Sequence, residues 1–331
     1  MDKASGKLVK EINLNHVRHT LSNVETATKA QLAEATGLSV VTINALVKEL
    51  VTRGEVFKED TVPSGGGRPA ATYRFNANYR LALVMLLKEH KGADVLMASV
   101  VNLNGETVRR EEHSIPLFDY HCLDERIHVF LNAYPAINVI GVGIAGQIVD
   151  GAIAVSSHQN LKGVRLIEHL EKTFKLTVLV ENDVNAAVSG YCAQQIYEES
   201  DCVVGVYFPD NYPPGMGIQL NGDIVKGKNG MAGEIKFLPI DVDWEKNINK
   251  KEFVNIVCEI VQTVNAILAP NQIILYQSHI QQKDWVRLWE GYQKNYPSIS
   301  EPNIVVSDSF QSDFNEGMKA LTLKKLESYT N

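Results

Sequence analysis

The sequence predicts an α/β protein in two parts: an N-terminal winged helix-turn-helix over residues 1–78 and a larger domain of alternating strands and helices over 79–331. Three observations point that way. Two short amphipathic segments meet at Gly37, and two strand-like runs flank Gly65-Gly66-Gly67-Arg68-Pro69. From Tyr79 onward, continuous apolar runs alternate with helical ones, the pattern of the α/β class.

In the first part, Thr28 is placed to N-cap a helix and Gln31 to complete a capping box, with Leu32 and Ala35 as the expected apolar contacts before Gly37 ends it. Ser39 then caps a second helix in which Ile43, Leu46 and Leu50 form the buried stripe. Val40, Val41, Thr42, Asn44, Ala45 and Lys48 are left on its other faces. The second helix of such a pair lies in the major groove with its N-terminal residues on base edges. Ser39, Val40, Thr42 and Asn44 are therefore the expected DNA-facing residues near the bases, with Lys48 and Arg53 further along at phosphate. Residues 55–59 and 71–75 read as the two wing strands. Between them Arg68 reads as an extended finger, because a narrow A/T-rich minor groove attracts an inserted guanidinium. Two plainer readings stand beside these. Amphipathic helix pairs around a glycine also occur in ordinary helical domains, and the glycine tip serves equally as a plain hairpin loop.

Composition is compatible with both parts. At 331 residues with 45% apolar residues, the chain exceeds a usual single core. It contains no apolar run of membrane-spanning length and no signal-peptide pattern at its start, so a cytoplasmic protein is expected. The four cysteines, Cys122, Cys192, Cys202 and Cys258, form no CxxC pair and read as reduced thiols. The net charge of -7 is uneven: residues 1–80 carry 11 Lys and Arg against 8 Asp and Glu, the remainder 21 against 31. The basic end is the one with the helix pair, and its small excess implies a few placed phosphate contacts on a dimer.

Through the second part, 81–87 and 95–101 read as strands, followed by the turn Asn102-Leu103-Asn104-Gly105-Glu106 and a third strand to Ile115. A helix near 124–134 leads into a strand over 138–144. Another strand over 177–180 runs into an Ala-rich helix after Glu181-Asn182-Asp183-Val184-Asn185.

Four segments carry a family resemblance: Gly141-Val142-Gly143-Ile144-Ala145-Gly146, the loop Ser157-His158-Gln159-Asn160-Leu161, Glu181-Asn182-Asp183-Val184-Asn185-Ala186-Ala187, and Gly230-Met231-Ala232-Gly233-Glu234-Ile235. Their order and spacing resemble the ROK family (repressors, open reading frames and sugar kinases), and the attached winged helix is similar to its repressor branch. The resemblance implies a two-lobed actin-like, sugar kinase-like (ribonuclease H-like) domain. Lobe one would span about 79–190 plus a C-terminal helix at about 312–331, and lobe two about 191–311. In ROK kinases the Asp of the Glu-Asn-Asp segment takes the proton from the sugar hydroxyl. By motif position Asp183 is the base equivalent, with Asn160, Asn182 and Glu234 as hydroxyl partners and His158 a further ligand contact. Carboxylates and carboxamides suit a ring of hydroxyls. The plainer reading is that Asn182 and Asp183 only cap the helix that follows.

The departures from the family speak against kinase activity. Where the kinases carry Asp-x-Gly-Gly-Thr, this chain has Leu87-Lys88-Glu89-His90-Lys91-Gly92. Where a second glycine-rich phosphate turn belongs, Pro209, Pro213, Pro214 and Tyr212 stand, and Tyr276-Gln277-Ser278 replaces a late Gly-Gly. Without these clamps phosphoryl transfer loses nearly all of its catalysis. The family's zinc motif is replaced as well, by Lys236-Phe237 and a stretch free of cysteine between Cys202 and Cys258. Neither metal nor cofactor is expected, and Lys236 suggests an anionic ligand such as a sugar phosphate or acid.

The resulting expectation is a DNA-binding transcriptional regulator, a repressor of carbohydrate-related genes with no enzymatic activity. Its effector is a sugar or sugar derivative, and it works as a homodimer or homotetramer on a pseudo-palindromic, A/T-rich operator, with no membrane partner. Two alternatives stay open: a bifunctional sugar kinase with a DNA-binding domain, and a ligand-independent DNA-binding dimer.

Overall fold

The computed structural model describes residues 2–64, 67–90, 93–115, 118–156, 159–195, 201–210, 212–244, 246, 248–298 and 300–328. The N-terminal part consists of α1 (Asp2–Ser22), β1 (Ala27–Thr28), α2 (Lys29–Thr36), α3 (Val40–Thr52), β2 (Val56–Ser64) and β3 (Gly67–Phe75), with the strands in the antiparallel order β1-β3-β2. Thr28 and Gln31 form the capping box, Gly37 closes α2 in the left-handed region at φ 69, and the Ser39 side chain accepts from Thr42 N. The axes of α2 and α3 differ in direction by 113°. Leu14, Val17 and Leu21 of α1 share one core with Leu32, Ile43, Leu46, Val47, Leu50, Val56 and Tyr73.

Two expectations are corrected here. Ala35 is exposed; the inward position one residue on belongs to Thr36, whose hydroxyl donates to Leu32 O at 2.6 Å and so carries its polar group into the core satisfied. The wing strands also run longer than 55–59 and 71–75, through an irregular register between Lys58 and Thr61. Gly65, Gly66 and the side chain of Arg68 lie outside the described residues.

Arg18 Nε meets Glu55 Oε2 at 2.6 Å with both groups largely buried, which fastens α1 to the base of the wing. The connection to the second part is also fastened. Asn76 Nδ2 donates to Gly54 O at 2.7 Å, Leu103 N to Ala77 O at 3.0 Å, and Asn102 Nδ2 to Asn78 Oδ1 at 3.3 Å.

The second part runs β4 (Leu81–His90), β5 (Ala93–Asn102), β6 (Thr107–Ile115), α4 (Tyr120–Ala133), β7 (Ile137–Ile144), β8 (Gly146–Val149), β9 (Ala152–Ser156), α5 (Leu166–Phe174), β10 (Thr177–Asn182) and α6 (Asp183–Ala193). It continues with β11 (Cys202–Tyr207), β12 (Gly215–Leu220), β13 (Asp223–Ile224), α7 (Lys250–Leu268), β14 (Gln272–Tyr276), α8 (Gln282–Gln293), β15 (Asn303–Ser307) and α9 (Phe310–Ser328). Two mixed five-stranded sheets result, β10-β7-β4-β5-β6 and β13-β12-β11-β14-β15. Helix α4 begins before the expected residue 124 because Asp119 caps it, accepting from Cys122 N at 2.9 Å. The hairpin of β8 and β9 was not legible as such in the sequence.

Between the sheets α6 and α9 cross at backbone contact. A Cβ on Gly317 would lie 1.7 Å from Ala186 O, and one on Gly190 would lie 1.9 Å from Asp313 O, so only glycine permits this approach. Buried Asp313 draws the second sheet onto the crossing. It accepts from Tyr276 Oη at 2.9 Å, Ser309 Oγ at 2.7 Å and Gln194 Nε2 at 3.2 Å. Among the described residues no single helix is long and apolar enough to cross a membrane.

Candidate functional site

Two surfaces gather the residues picked out above. The first is the start of α3, where Ser39, Val40, Asn44, Ala45 and Lys48 are exposed and Thr42 is half-buried. Val40 and Val41 stand 53% and 79% exposed, since the helix turns Ile43, Leu46, Val47 and Leu50 inward and leaves the two valines on the solvent side. Thr42 Oγ1 sits 2.9 Å from Ser39 Oγ, so its hydroxyl is already engaged in the cap. Arg53 is tied to Glu49 and, at 3.6 Å, to Glu55. Glu49 also takes Lys10 at 2.6 Å, an arrangement that leaves Lys48 as the exposed cation of this helix without a described ion pair.

The second is a cavity of about 570 Å³ between the two sheets, bounded by Asn182, Asp183, Gln147 and Ser156 on one side and Glu234 and Lys236 on the other. Asn182 ends β10 and N-caps α6. Its Oδ1 accepts from Val184 N at 2.9 Å and Asn185 N at 3.2 Å, while Nδ2 donates to Gly146 O at 2.8 Å. The helix-cap role and the cavity position therefore coincide in one residue. Asp183 follows in the first turn, and burial pushes its carboxyl up to about 7, against the opposing pull of the Val184 N–H at 3.0 Å. Glu234 is presented by Gly233, which holds φ 87 with its Cα so near Met216 O that a Cβ would stand 2.0 Å from it.

Bonds across the cleft hold its two sides together. Gln147 Nε2 donates to Glu234 Oε1 and to Gly230 O, both at 2.8 Å, and Lys226 Nζ meets the buried Glu181 Oε2 at 2.7 Å. Lys236 Nζ lies 2.8 Å from Glu234 Oε2, so much of its charge is spent on that carboxylate. Asn160 is exposed on the short 3-10 turn Gln159–Leu161 and is not among the cavity-lining residues. His158 lies outside the described residues.

The cavity lining also includes aromatic rings. Tyr207 and Phe310 stack with ring centroids 3.6 Å apart and planes 9° from parallel. Burial first, then the charges of Asp183 and Asp210, push the Tyr207 phenol up to about 12. Lys88, Pro209, Pro213 and Tyr212 also line the cavity. Gln147 and Tyr207 are among the residues that reading the sequence missed. Gln147 had a usable signal, since it directly follows the Gly141–Gly146 run; Tyr207 had none. Among the described residues no group of three or more His, Cys, Asp or Glu is placed to hold a metal ion.

Comparison with known proteins gives a consistent set of relatives. Residues 90–286 match the ROK family. The xylose repressor of Bacillus subtilis (strain 168) is 26% identical over 257 residues, which cover 74% of this chain and 65% of that protein. The DNA-binding transcriptional dual regulator NagC of Escherichia coli (strain K12) is 26% identical over 246 residues, covering 71% and 59%. The chain thus spans just under two thirds of the length of these relatives. The crystal structure of a ROK family transcriptional regulator, a homologue of the E. coli MLC protein, superposes over 96% of this chain and 99% of its own with a TM-score of 0.59. At 15% identity that likeness concerns the fold alone.

Proposed function

The chain belongs to the ROK family, and from that premise we propose that it is a DNA-binding transcriptional regulator, a repressor of carbohydrate-related genes whose operator affinity is set by a sugar or sugar derivative in the cavity. The observation that carries the reading is the pairing in one chain of an exposed α3 N-terminus with a cavity lined by Asn182, Asp183 and Glu234 together with Tyr207, Phe310 and three prolines. Val40 and Val41 offer methyl groups suited to thymine, and Asn44 offers paired donor and acceptor groups suited to adenine. Lys48 and the wing Arg68 supply phosphate and minor-groove contacts. A homodimer or homotetramer would read a pseudo-palindromic operator with half-sites about one helical turn or a multiple apart.

A ligand alters DNA affinity only by binding two arrangements of the protein unequally. The cleft-spanning bonds of Gln147, Glu234, Lys226 and Glu181 are the contacts that such arrangements would differ in. Helix α9 supplies a physical connection onward. Its first turns line the cavity through Phe310, Gln311 and Phe314, and near its far end Leu323 Cδ1 reaches 4.0 Å from where a Cβ on Gly105 would stand. Gly105 lies in the turn to which residues 77 and 78, next to the wing, are hydrogen-bonded.

The test is DNA binding, followed by fluorescence anisotropy on a selected operator, with and without each sugar that raises the melting temperature in a thermal-shift screen. A change in operator affinity that Glu234→Ala abolishes supports the reading. ADP release in the presence of a hexose, lost in Asp183→Asn, would make the protein a kinase instead. Unaltered operator affinity with every stabilising sugar would leave a ligand-independent DNA-binding dimer.

A further inference from the structure

The cations of the cavity are already committed. Among the described residues its lining holds two lysines, Lys88 and Lys236, and neither arginine nor histidine. Lys236 lies two positions after Glu234, on the short 3-10 turn Ile235–Phe237. Its Nζ stands 2.8 Å from Glu234 Oε2 and 5.1 Å from the centre of the Phe237 ring, so a carboxylate and an aromatic face both engage the one ammonium. Lys88 Nζ lies 4.0 Å from Glu112 Oε2. The remaining ionisable side chains of the lining, Asp183, Asp210 and Tyr207 among them, carry no positive charge.

The start of α6 is taken as well. A helix N-terminus ordinarily receives an anion through its N–H groups, yet here Asn182 Oδ1 accepts from Val184 N at 2.9 Å and from Asn185 N at 3.2 Å. Pro209, Pro213 and Pro214 supply no N–H. A sugar phosphate, with a charge of about −1.5 to −2 near pH 7, would draw Lys236 from Glu234 and leave like charges facing each other in a lining that also contains Asp183 and Asp210. For hydroxyls the same arrangement is favourable. Each Glu234 oxygen receives one protein donor, Oε1 from Gln147 Nε2 and Oε2 from Lys236 Nζ, both at 2.8 Å. An ionised carboxylate offers about four lone-pair sites, so acceptor capacity stays open to ligand O–H groups on a side chain held at both oxygens.

We propose that the cavity selects an uncharged sugar over its phosphate or uronic acid, with Lys236 positioning Glu234 and not receiving an anion. The proposal rests on reading the cavity as the effector site and adds the charge class of the ligand. It replaces the anionic ligand that Lys236 suggested in the sequence, because on this tight turn the lysine reaches the neighbouring carboxylate.

Calorimetric titration of the full chain tests this with glucose, galactose, xylose and N-acetylglucosamine, with the terminal phosphate of each, and with glucuronic and galacturonic acids. The expected result is an uncharged sugar binding about tenfold tighter or more than its own charged derivative. Glu234→Gln, which releases Lys236 and keeps the side-chain shape, shifts that preference toward the charged derivative by about tenfold. Lys236→Met weakens the uncharged sugar in the wild-type background and leaves it unchanged in Glu234→Gln, because the lysine acts only through that carboxylate. A charged derivative binding as tightly as its parent sugar or tighter overturns the proposal, as does a preference that Glu234→Gln leaves unaltered. A loss from Lys236→Met confined to the charged ligand would make the lysine an anion receptor, and an equal loss in both backgrounds would make it structural; either overturns the positioning role. All four outcomes leave the effector reading standing. If no sugar of the panel binds, the effector reading itself fails and the charge selection with it.

Discussion

Replacing Asp183 by Asn probes the most perturbed group in the cavity. The carboxyl is raised from 3.8 to about 7 by burial, and each tenfold change in proton affinity corresponds to about 1.4 kcal/mol. A raised folded-state value means that the native protein holds the proton more tightly than the unfolded chain. The contribution to stability is therefore fully present below about pH 4 and is lost as pH climbs through about 7. The full loss would be about 4 kcal/mol. That figure is a ceiling, because the carboxyl keeps some accessible surface toward the cavity it lines, and water there stabilises the ionised form. Asparagine is isosteric, keeps an acceptor for Val184 N and does not titrate. The unfolding free energy of Asp183→Asn minus that of the wild type should hence grow between about pH 5 and about pH 8 by up to about 3 kcal/mol. Urea unfolding followed by the fluorescence of the buried pair Trp285 and Trp289 measures it, and every other titrating group is common to both proteins. A difference flat across that range would refute the reasoning. The same sign argument applies to ligand: hydroxyls donating to the ionised carboxylate favour its charged form, so effector affinity should rise with pH through neutrality.

Gly317→Ala should destabilise the protein by about 3 kcal/mol or more, since its Cβ meets backbone at Ala186 O and α6 and α9 must part. Gly291→Ala in α8, where nothing lies within 4 Å, is the matched control; it should stabilise by about 0.5–1 kcal/mol, with thermal unfolding comparing the two. Leu323→Ala should leave effector affinity and effector-free DNA affinity in place while shrinking the effect of one on the other, as read by operator titrations with and without ligand. A coupling equal to wild type would remove α9 from the route. Arg68→Ala should weaken operator binding most on A/T-rich flanks, and an equal loss on all flanks in an anisotropy series would count against minor-groove insertion.

What the sequence made legible was local. The Thr28 and Gln31 box, the Gly37 turn and the Ser39 cap are written in neighbouring residues, and all three formed as expected. So did the three-stranded meander, whose turn glycine Gly105 takes φ 79. Periodicity alone could not separate Ala35 from Thr36, because a threonine that bonds its hydroxyl to the preceding turn is free to face inward. Gln147 and Tyr207 escaped for a different reason: the partners that give them meaning, Glu234 and Phe310, lie 87 and 103 positions away in the chain. Asn182 was read as either a ligand group or a cap; its side chain forms the cap of α6, and the residue also lines the cavity.

On the proposed reading, the retention of Asp183 has a physical sense that does not depend on phosphoryl transfer. A carboxylate buried without a full set of donors destabilises whatever arrangement encloses it, and solvent relieves it whenever the cleft opens. A polyol relieves it in the closed arrangement instead, by offering hydroxyls where water is excluded. The ligand then favours closure by the difference between those two environments, and that difference is what a coupling free energy requires. Asn182 brings the effect to the start of α6, because its side chain holds both the first turn of that helix and Gly146 at the start of β8. The glycine contact with α9 leaves little slack, so a displacement of α6 is carried to the helix that ends beside the Gly105 turn. On that reading the cleft acts as a sensor through a buried acid, in a cavity whose Pro209, Pro213 and Pro214 supply no N–H to a phosphate.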